Sequence, residues 1–340
     1  MSIHYRVILT GVGSVGRGFA EIVARRQAWI EQHQGVRILL VGAATRSWCC
    51  YNPGGLDVAA VLQASERRDY SGLPDRQPWS PAELIANAEA DVLAEASPTD
   101  FATAEPATGY MRAALGRGMH VVTANKGPVA LHGPALRQEA AARGLSFGYE
   151  GTVMAGTPSL RLGWSALAGC ELREVRGIVN GTTNYILTQM EGGLPYAEAL
   201  AEAQRLGYAE TDPTGDVEGY DAAGKAAILA TMLMGGSVLP DQVWRTGITG
   251  ITPADIAAAA QAGERWKLIA RVARAADGSL SASVEPMRVP MSHPLAHVSG
   301  ATNALTYTTD LLGDVTLIGP GAGGTATGFA LLSDILAIPR

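Results

Sequence analysis

Arg6-Val7-Ile8-Leu9-Thr10 runs directly into Gly11-Val12-Gly13-Ser14-Val15-Gly16. A short apolar run, three glycines at this spacing, and then Val15, Phe19, Ile22 and Val23 at helical intervals predict a strand, a tight turn and an amphipathic helix. Each glycine has a task in that setting. Gly11 allows the turn, Gly13 lets the backbone approach a pyrophosphate, and Gly16 lets helix and strand pack closely. The helix start offers free N–H groups to phosphate. Gly11, Val12, Gly13, Ser14, Val15 and Gly16 are therefore candidate dinucleotide contacts.

The same alternation continues outward from this turn. Strands are expected at residues 36–43, 91–96, 120–123 and 145–149, with helices near 106–116 and 134–143. Residues 48–80, rich in Pro and Gly, read as an excursion with a short helix near 56–64. Alternating strands and helices of this kind indicate a parallel α/β sheet. The pattern changes after Glu150. Glycine-punctuated strands at 174–179 and 280–286 mix with helices at 195–206 and 217–234. Residues 315–318, a glycine turn at 319–324 and a helix at 325–336 return to the first style. The fold class is α/β: a Rossmann-type doubly wound parallel sheet built from residues 1–150 plus 316–340, with an inserted α+β domain at 151–315 for substrate binding and dimerisation.

Composition narrows the function. The 340 residues are 47% hydrophobic and 17% charged, enough for a buried core. Lys+Arg is 26 and Asp+Glu is 32, a net charge of −6, without the basic stripe of a nucleic-acid binder. No apolar run reaches the roughly 18 residues of a membrane span. The N-terminus lacks the h-region of a signal peptide. Cys49, Cys50 and Cys170 make neither a disulfide framework nor a zinc pattern. A cytoplasmic protein with a small-molecule substrate is expected, with no nucleic-acid or membrane partner.

Further motifs carry chemistry. The second strand ends in Gly42-Ala43-Ala44-Thr45-Arg46-Ser47, without the acid that usually holds an NAD ribose. Arg46 and its hydroxyl neighbours suit a 2′-phosphate, which points to NADP and leaves NAD open. Lys126 is the only Lys, Arg, Asp or Glu between Arg117 and Arg137, just past a buried strand's carboxyl end, where open α/β sheets bind ligands. Asn180-Gly181-Thr182-Thr183-Asn184-Tyr185 precedes a helical run and reads first as capping chemistry. Glu210, Asp212, Asp216, Glu218 and Asp221 then crowd one stretch, and Lys225 follows Asp221 at i+4. Lys225 is the only charged residue from Ala222 to Pro240, so its helix is expected to be buried and the lysine paired. A buried, paired lysine is a general-acid candidate. Residues 212–216 lack the order of a calcium loop.

These strings together resemble the homoserine dehydrogenase family. They are GVGSVG at 11–16, TANKGPVA at 123–130, YEGTVMAGTP at 149–158, GIVNGTTNYILTQM at 177–190, AEAQRLGYAETDPTGDVEGYDAAGKAAILA at 201–230 and GPGAGGTATG at 319–328. The resemblance covers most of the chain and is most specific from Arg176 to Lys225. It implies NAD(P)H-dependent interconversion of L-aspartate 4-semialdehyde and L-homoserine. It also implies Lys225 as proton donor, Asp221 and Glu210 on the substrate with Glu210 near its ammonium group, and Lys126 between coenzyme and substrate. Asp216, Thr182 and Tyr208 complete the candidate substrate contacts. Arg46, Ser97, Thr99, Lys126, Gly321 and Gly323 join the glycine turn as candidate coenzyme contacts. Glu150, with the carbonyls of Val153, Ala155 and Thr157, would match a monovalent-cation site, usually sodium. A homodimer is implied through the second domain. The chain leaves no room for the regulatory ACT domain of many bacterial members, so threonine feedback through one is not expected. Residues 290–318 depart most from the family pattern. A paralogue reducing another small amino-acid aldehyde, or a non-catalytic dinucleotide sensor, would share part of this pattern, although a pure binder needs no proton donor.

Overall fold

In a computed structural model that describes residues 2–339, the chain forms two compact units. One comprises the chain up to Gly156 together with Gly323 onward, and the other is Thr157–Ala322. The outermost residues of the expected first domain, Met1 and Arg340, lie outside the described residues.

The first unit is built on β1 (Ile3–Thr10), β2 (Val36–Ala44), β3 (Cys49–Tyr51), β4 (Arg76–Gln77), β5 (Val92–Glu95), β6 (His120–Thr123) and β7 (Phe147–Gly148). Their order in the sheet is β4-β3-β2-β1-β5-β6-β7. β2, β1, β5, β6 and β7 run parallel, while β3 and β4 extend the edge antiparallel. The helices are α1 (Ser14–Gln34), α2 (Val58–Arg67), α3 (Pro81–Asn87), α4 (Ala107–Gly116) and α5 (Lys126–Ala141). β1 explains why both faces need cover. Val7 and Leu9 enter one core with Phe19 and Val23 of α1, whereas Ile8 enters the opposite core with Leu84 of α3 and Met111 of α4. The strand order reverses between β2-β1 and β1-β5, which is where such sheets open a ligand crevice. α5 begins at Lys126, eight residues before the helix expected near 134. Asn125 caps it by accepting from the Gly127 N–H, and Pro134 lies inside it rather than opening it.

The second unit holds a six-stranded sheet. Its strands are β8 (Leu172–Ile178), β9 (Trp244–Arg245), β10 (Glu264–Arg274), β11 (Leu280–Pro290), β12 (Thr302–Thr309) and β13 (Gly313–Pro320). The order is β13-β12-β8-β10-β11-β9, antiparallel except for β11 with β9. β10 and β11 make a hairpin around Asp277-Gly278, with Gly278 at φ 85°. The helices are α6 (Ser159–Arg161), α7 (Gly181–Glu191), α8 (Tyr196–Arg205), α9 (Thr214–Val217), α10 (Tyr220–Ile228) and α11 (Pro253–Gln261). Two expectations are corrected here. The helix expected over 217–234 is interrupted at Gly219, whose φ of 80° no regular helix accepts, and it loosens to a π turn over Leu229–Leu233. Residues 315–318 do not join the parallel sheet. They sit in β13, paired along its length with β12, so the chain returns to the first unit at Gly323 rather than at 316.

The chain closes with α12 (Gly324–Leu336) in the first unit. It packs on α1 through glycine. A Cβ at Gly18 would overlap the Gly324 carbonyl, and one at Gly328 would overlap the Phe19 N–H. Leu331, Leu332 and Ile335 then fill the core beside Phe19.

Candidate active site

The glycine turn of the first unit lies at the strand crossover. Gly11, at φ 87°, donates its N–H to the Ala44 carbonyl at the end of β2 (2.9 Å). On its other side, a Cβ would drive into Ala96 and Ser97, the residues following β5. A Cβ at Gly16 would overlap the Gly11 carbonyl, so helix and turn touch there. Gly13 differs from both: among the described residues nothing lies within 4 Å of the space its Cβ would take. That open backbone at the start of α1 is what a pyrophosphate requires. Ser14 is exposed, Val15 half-buried, and Val12 buried with its carbonyl meeting Ser65 of α2 (3.4 Å). No acid sits in the first turn of α1 to oppose an anion.

Around this turn stand the other candidates of the unit. Arg46 is exposed in the turn that follows β2, where Thr45 N–H meets the Trp48 carbonyl (2.8 Å) and the Thr45 and Ser47 hydroxyls meet (3.2 Å). Ser97 and Thr99 follow β5, and Lys126 opens α5. Asn125 ties these together, donating to the Ser97 carbonyl (3.2 Å) and the Pro98 carbonyl (3.3 Å). Gly323, at φ 121°, caps α12, whose Gly324 packs on the Ser14 carbonyl. Gly321 belongs to the second unit, pressed on the buried amide of Asn303.

Glu150 is buried, and its N–H donates to Asp334 of α12 (3.0 Å). The chain then makes a tight turn in which Met154 (φ 56°) and Ala155 (φ 51°) are left-handed in succession. Two such residues without glycine are costly, and strain of this kind gathers at ligand sites. Thr157 falls in the second unit, its hydroxyl donating to the Pro320 carbonyl (2.9 Å).

In the second unit β8 delivers Val179 and Asn180 to the start of α7. Lys225 is 7% exposed, and its Nζ lies 2.7 Å from Asp221 Oδ2, as i,i+4 spacing on α10 predicts. The same Nζ donates to the Val179 carbonyl (2.6 Å). Asn180 does more than cap. Its Oδ1 accepts from Thr183 N–H (2.9 Å), while its Nδ2 donates both to Asp216 Oδ1 (2.7 Å) and to Asp221 Oδ2 (3.1 Å). Burial pushes the Asp216 carboxyl up, against the pull of the Asn180 hydrogen bond. Thr182 donates to the Tyr208 carbonyl (2.6 Å), and the rings of Tyr208 and Tyr185 are 4.9 Å apart. Tyr208 and Glu210 are exposed, and Glu210 lines a cavity of about 550 Å³ with Gln204, Ala209, Thr211 and Asp212. The remaining acids of the cluster go elsewhere. Asp212 accepts from the Thr214 N–H, and Glu218 accepts from Thr249.

A family model described as homoserine dehydrogenase matches residues 158–336, and one for the homoserine dehydrogenase NAD-binding domain matches residues 11–150. The NAD(+)-dependent homoserine dehydrogenase of Pseudomonas canavaninivorans is 45% identical over 98% of this chain and 96% of its own. The chain belongs to the homoserine dehydrogenase family. Among solved structures, a putative homoserine dehydrogenase from Archaeoglobus fulgidus superposes with a TM-score of 0.89 at 37% identity, covering 99% of each chain. A hyperthermophilic archaeal homoserine dehydrogenase mutant, solved in complex with NADPH, gives 0.84 at 30% identity, covering 98% of this chain and 97% of that one.

As a homoserine dehydrogenase the protein is an NAD(P)-dependent oxidoreductase of amino-acid biosynthesis, and its first unit carries the NAD(P)-binding fold. The sequence does not reveal the bridging role of Asn180. Its type suits a helix cap, and the two carboxylates it joins are 36 and 41 positions away. Glu95, buried at the end of β5, is also missed: one acid ending an apolar strand carries no spacing signal.

Proposed function

We propose that the protein interconverts L-aspartate 4-semialdehyde and L-homoserine, with the buried Lys225–Asp221 pair as the observation that carries the residue roles. In the reducing direction, a dihydronicotinamide coenzyme held at the Gly11–Gly16 turn would supply a hydride to the aldehyde carbon. As that C–H bond forms, the carbonyl oxygen gathers negative charge, and the Lys225 ammonium stabilises it and gives it a proton. Asp221 and the Val179 carbonyl hold the ammonium in one direction, which spares the reaction the cost of ordering a long side chain. Asp216 and Asp221, joined by Asn180, and Glu210, Thr182 and Tyr208 bind the substrate, with Glu210 facing its ammonium group. Lys126 acts beside the coenzyme.

We read the coenzyme as NADP, because β2 ends without an acid and Arg46 is exposed just beyond it. Relatives are named with each coenzyme, so this reading rests on the chain's own residues. Glu150, with the carbonyls of Val153, Ala155 and Thr157, is proposed to hold sodium, since an oxygen-only donor set on a strained turn suits a hard cation. A melting temperature that rises no more with sodium chloride than with choline chloride would count against that site. Exposed Leu311, Leu312 and Ile318 on and beside β13 support a homodimer.

The deciding experiment follows oxidation of NADPH and NADH on addition of L-aspartate 4-semialdehyde, and their reduction with L-homoserine. Turnover of both in each direction is expected. Arg46→Ala should weaken NADPH more than NADH, and equal effects would remove Arg46 from the 2′-phosphate. Absence of turnover with either coenzyme would overturn the functional reading.

A further inference from the structure

β5 ends on Glu95, which is 0% exposed. The strand registers place Thr10, Glu95 and Thr123 in one row across β1, β5 and β6, at the carboxyl edge where the crevice opens. The residues two positions earlier, Ile8, Leu93 and Val121, all belong to one apolar core, so the row stands on that core's rim. A carboxyl in such a place is costly unless fully hydrogen-bonded.

Glu95 is so bonded. Its Oε1 accepts from the Ser97 N–H (2.9 Å) and from the Ser97 hydroxyl, and its Oε2 meets the Thr123 hydroxyl (3.2 Å). Thr123 Oγ1 also accepts from the Asn125 N–H (2.9 Å). Asn125 caps α5 and donates back to the Ser97 and Pro98 carbonyls. One carboxyl thus closes a ring of bonds that joins the turn after β5 to the start of α5. That turn is the surface on which Gly11 packs.

We propose that Glu95 is a positioning residue for the oxidoreductase reaction, clamping the Ser97–Thr99 turn and the Lys126 end of α5 at a fixed spacing for the dinucleotide. The proposal rests on the reading of Ser97, Thr99 and Lys126 as coenzyme contacts. Burial pushes the Glu95 carboxyl up to about 7. Its neutral form fits the ring fully: Oε1 accepts from Ser97, and a proton on Oε2 is donated to Thr123 Oγ1, whose own hydrogen goes to the Glu95 carbonyl (3.1 Å). Glutamine reproduces that pattern of acceptor and donor, whereas alanine leaves the Ser97 and Thr123 groups unmatched.

The test compares Glu95→Gln, Glu95→Ala and Thr123→Val with the parent enzyme, by coenzyme fluorescence titration and steady-state kinetics, with circular dichroism to verify folding. Glu95→Ala should weaken NADPH binding about tenfold, from the loss of a buried hydrogen-bonded pair, while the KM for the aldehyde stays within about twofold. Thr123→Val, which keeps the bulk of the side chain, should shift coenzyme binding in the same direction. Glu95→Gln should restore it to near the parent value. A folded Glu95→Ala enzyme that bound NADPH like the parent would overturn the proposal, as would Glu95→Gln behaving like Glu95→Ala. Should Glu95→Ala fail to fold, unchanged coenzyme binding in Thr123→Val would overturn it. A parent protein that bound no dinucleotide would overturn both this proposal and the coenzyme reading beneath it, a result distinct from any that sinks the clamp alone.

Discussion

Lys225 shows how much one side chain can depend on its partners. Its ammonium is directed by Asp221 and the Val179 carbonyl, in a stretch with no other charge on the helix. In the general-acid role proposed for it, such a group contributes about 10²–10⁴-fold to rate. Lys225→Met is therefore expected to cut turnover by about that factor and to leave NADPH affinity unchanged, because the dinucleotide fold lies in the other unit. Stopped-flow reduction and a binding titration on the same protein check both halves. Glu95 makes a second prediction at this scale. Its carboxyl is raised by burial from an ordinary 4.5 to about 7, so the fold favours the protonated form. Below about pH 4.5 it is neutral folded or unfolded and costs nothing. Between about 4.5 and 7 the unfolded chain ionises first, and stability falls as pH rises, by about 3 kcal/mol in all. Above about 7 the loss is complete. Glu95→Gln should flatten this part of the profile and raise stability at pH 8, as read from urea unfolding at pH 5 and 8. The Asp221–Lys225 pair was legible because i,i+4 spacing is local. The Glu95 ring was not, because its members come from two strands and the two loops that follow them.

At the scale of elements, Gly219 separates α9 from α10 and lets Asp216 and Asp221 reach the same Asn180 amide. The period of the apolar residues runs through this point, so the pattern alone reads as one helix over 217–234. Only the left-handed φ of 80° ends it. A side chain there is strained on the backbone and would stand 3.2 Å from Val284 and 3.3 Å from Arg245. Gly219→Ala should cost about 1–2 kcal/mol and raise the KM for the aldehyde more than that for the coenzyme. A variant with parent stability and parent KM would show that the break between α9 and α10 has no bearing on the site. At α5 the helix runs longer than the sequence pattern indicates, not shorter. Proline usually opens or ends a helix, but Pro134 lies within this one, because the Asn125 cap starts it earlier.

For the molecule as a whole, the second sheet leaves β13 as an edge strand carrying exposed Ile318, with Leu311 and Leu312 exposed just before it. A long apolar edge invites pairing with another copy. The parent is expected to sediment as a dimer, and an Ile318→Lys/Leu312→Asp double variant as a monomer with unchanged circular dichroism; a monomeric parent would refute the dimer. The sequence by itself determined the α/β class, the glycine turn that follows β1, the return to the first unit at the C-terminus, and the acids and lysine of α9 and α10. Each is written in residues a few positions apart, where a single turn or helical period decides the outcome. The tertiary structure alone decided that residues 315–318 pair with β12 instead of joining the parallel sheet, that Asn180 holds Asp216 and Asp221 together, and that Glu95 joins β5 to α5. Strand partners and buried hydrogen bonds are chosen among groups far apart in the chain, and burial then enforces the choice, because a polar group left without its partner inside the fold costs more than the local pattern can repay.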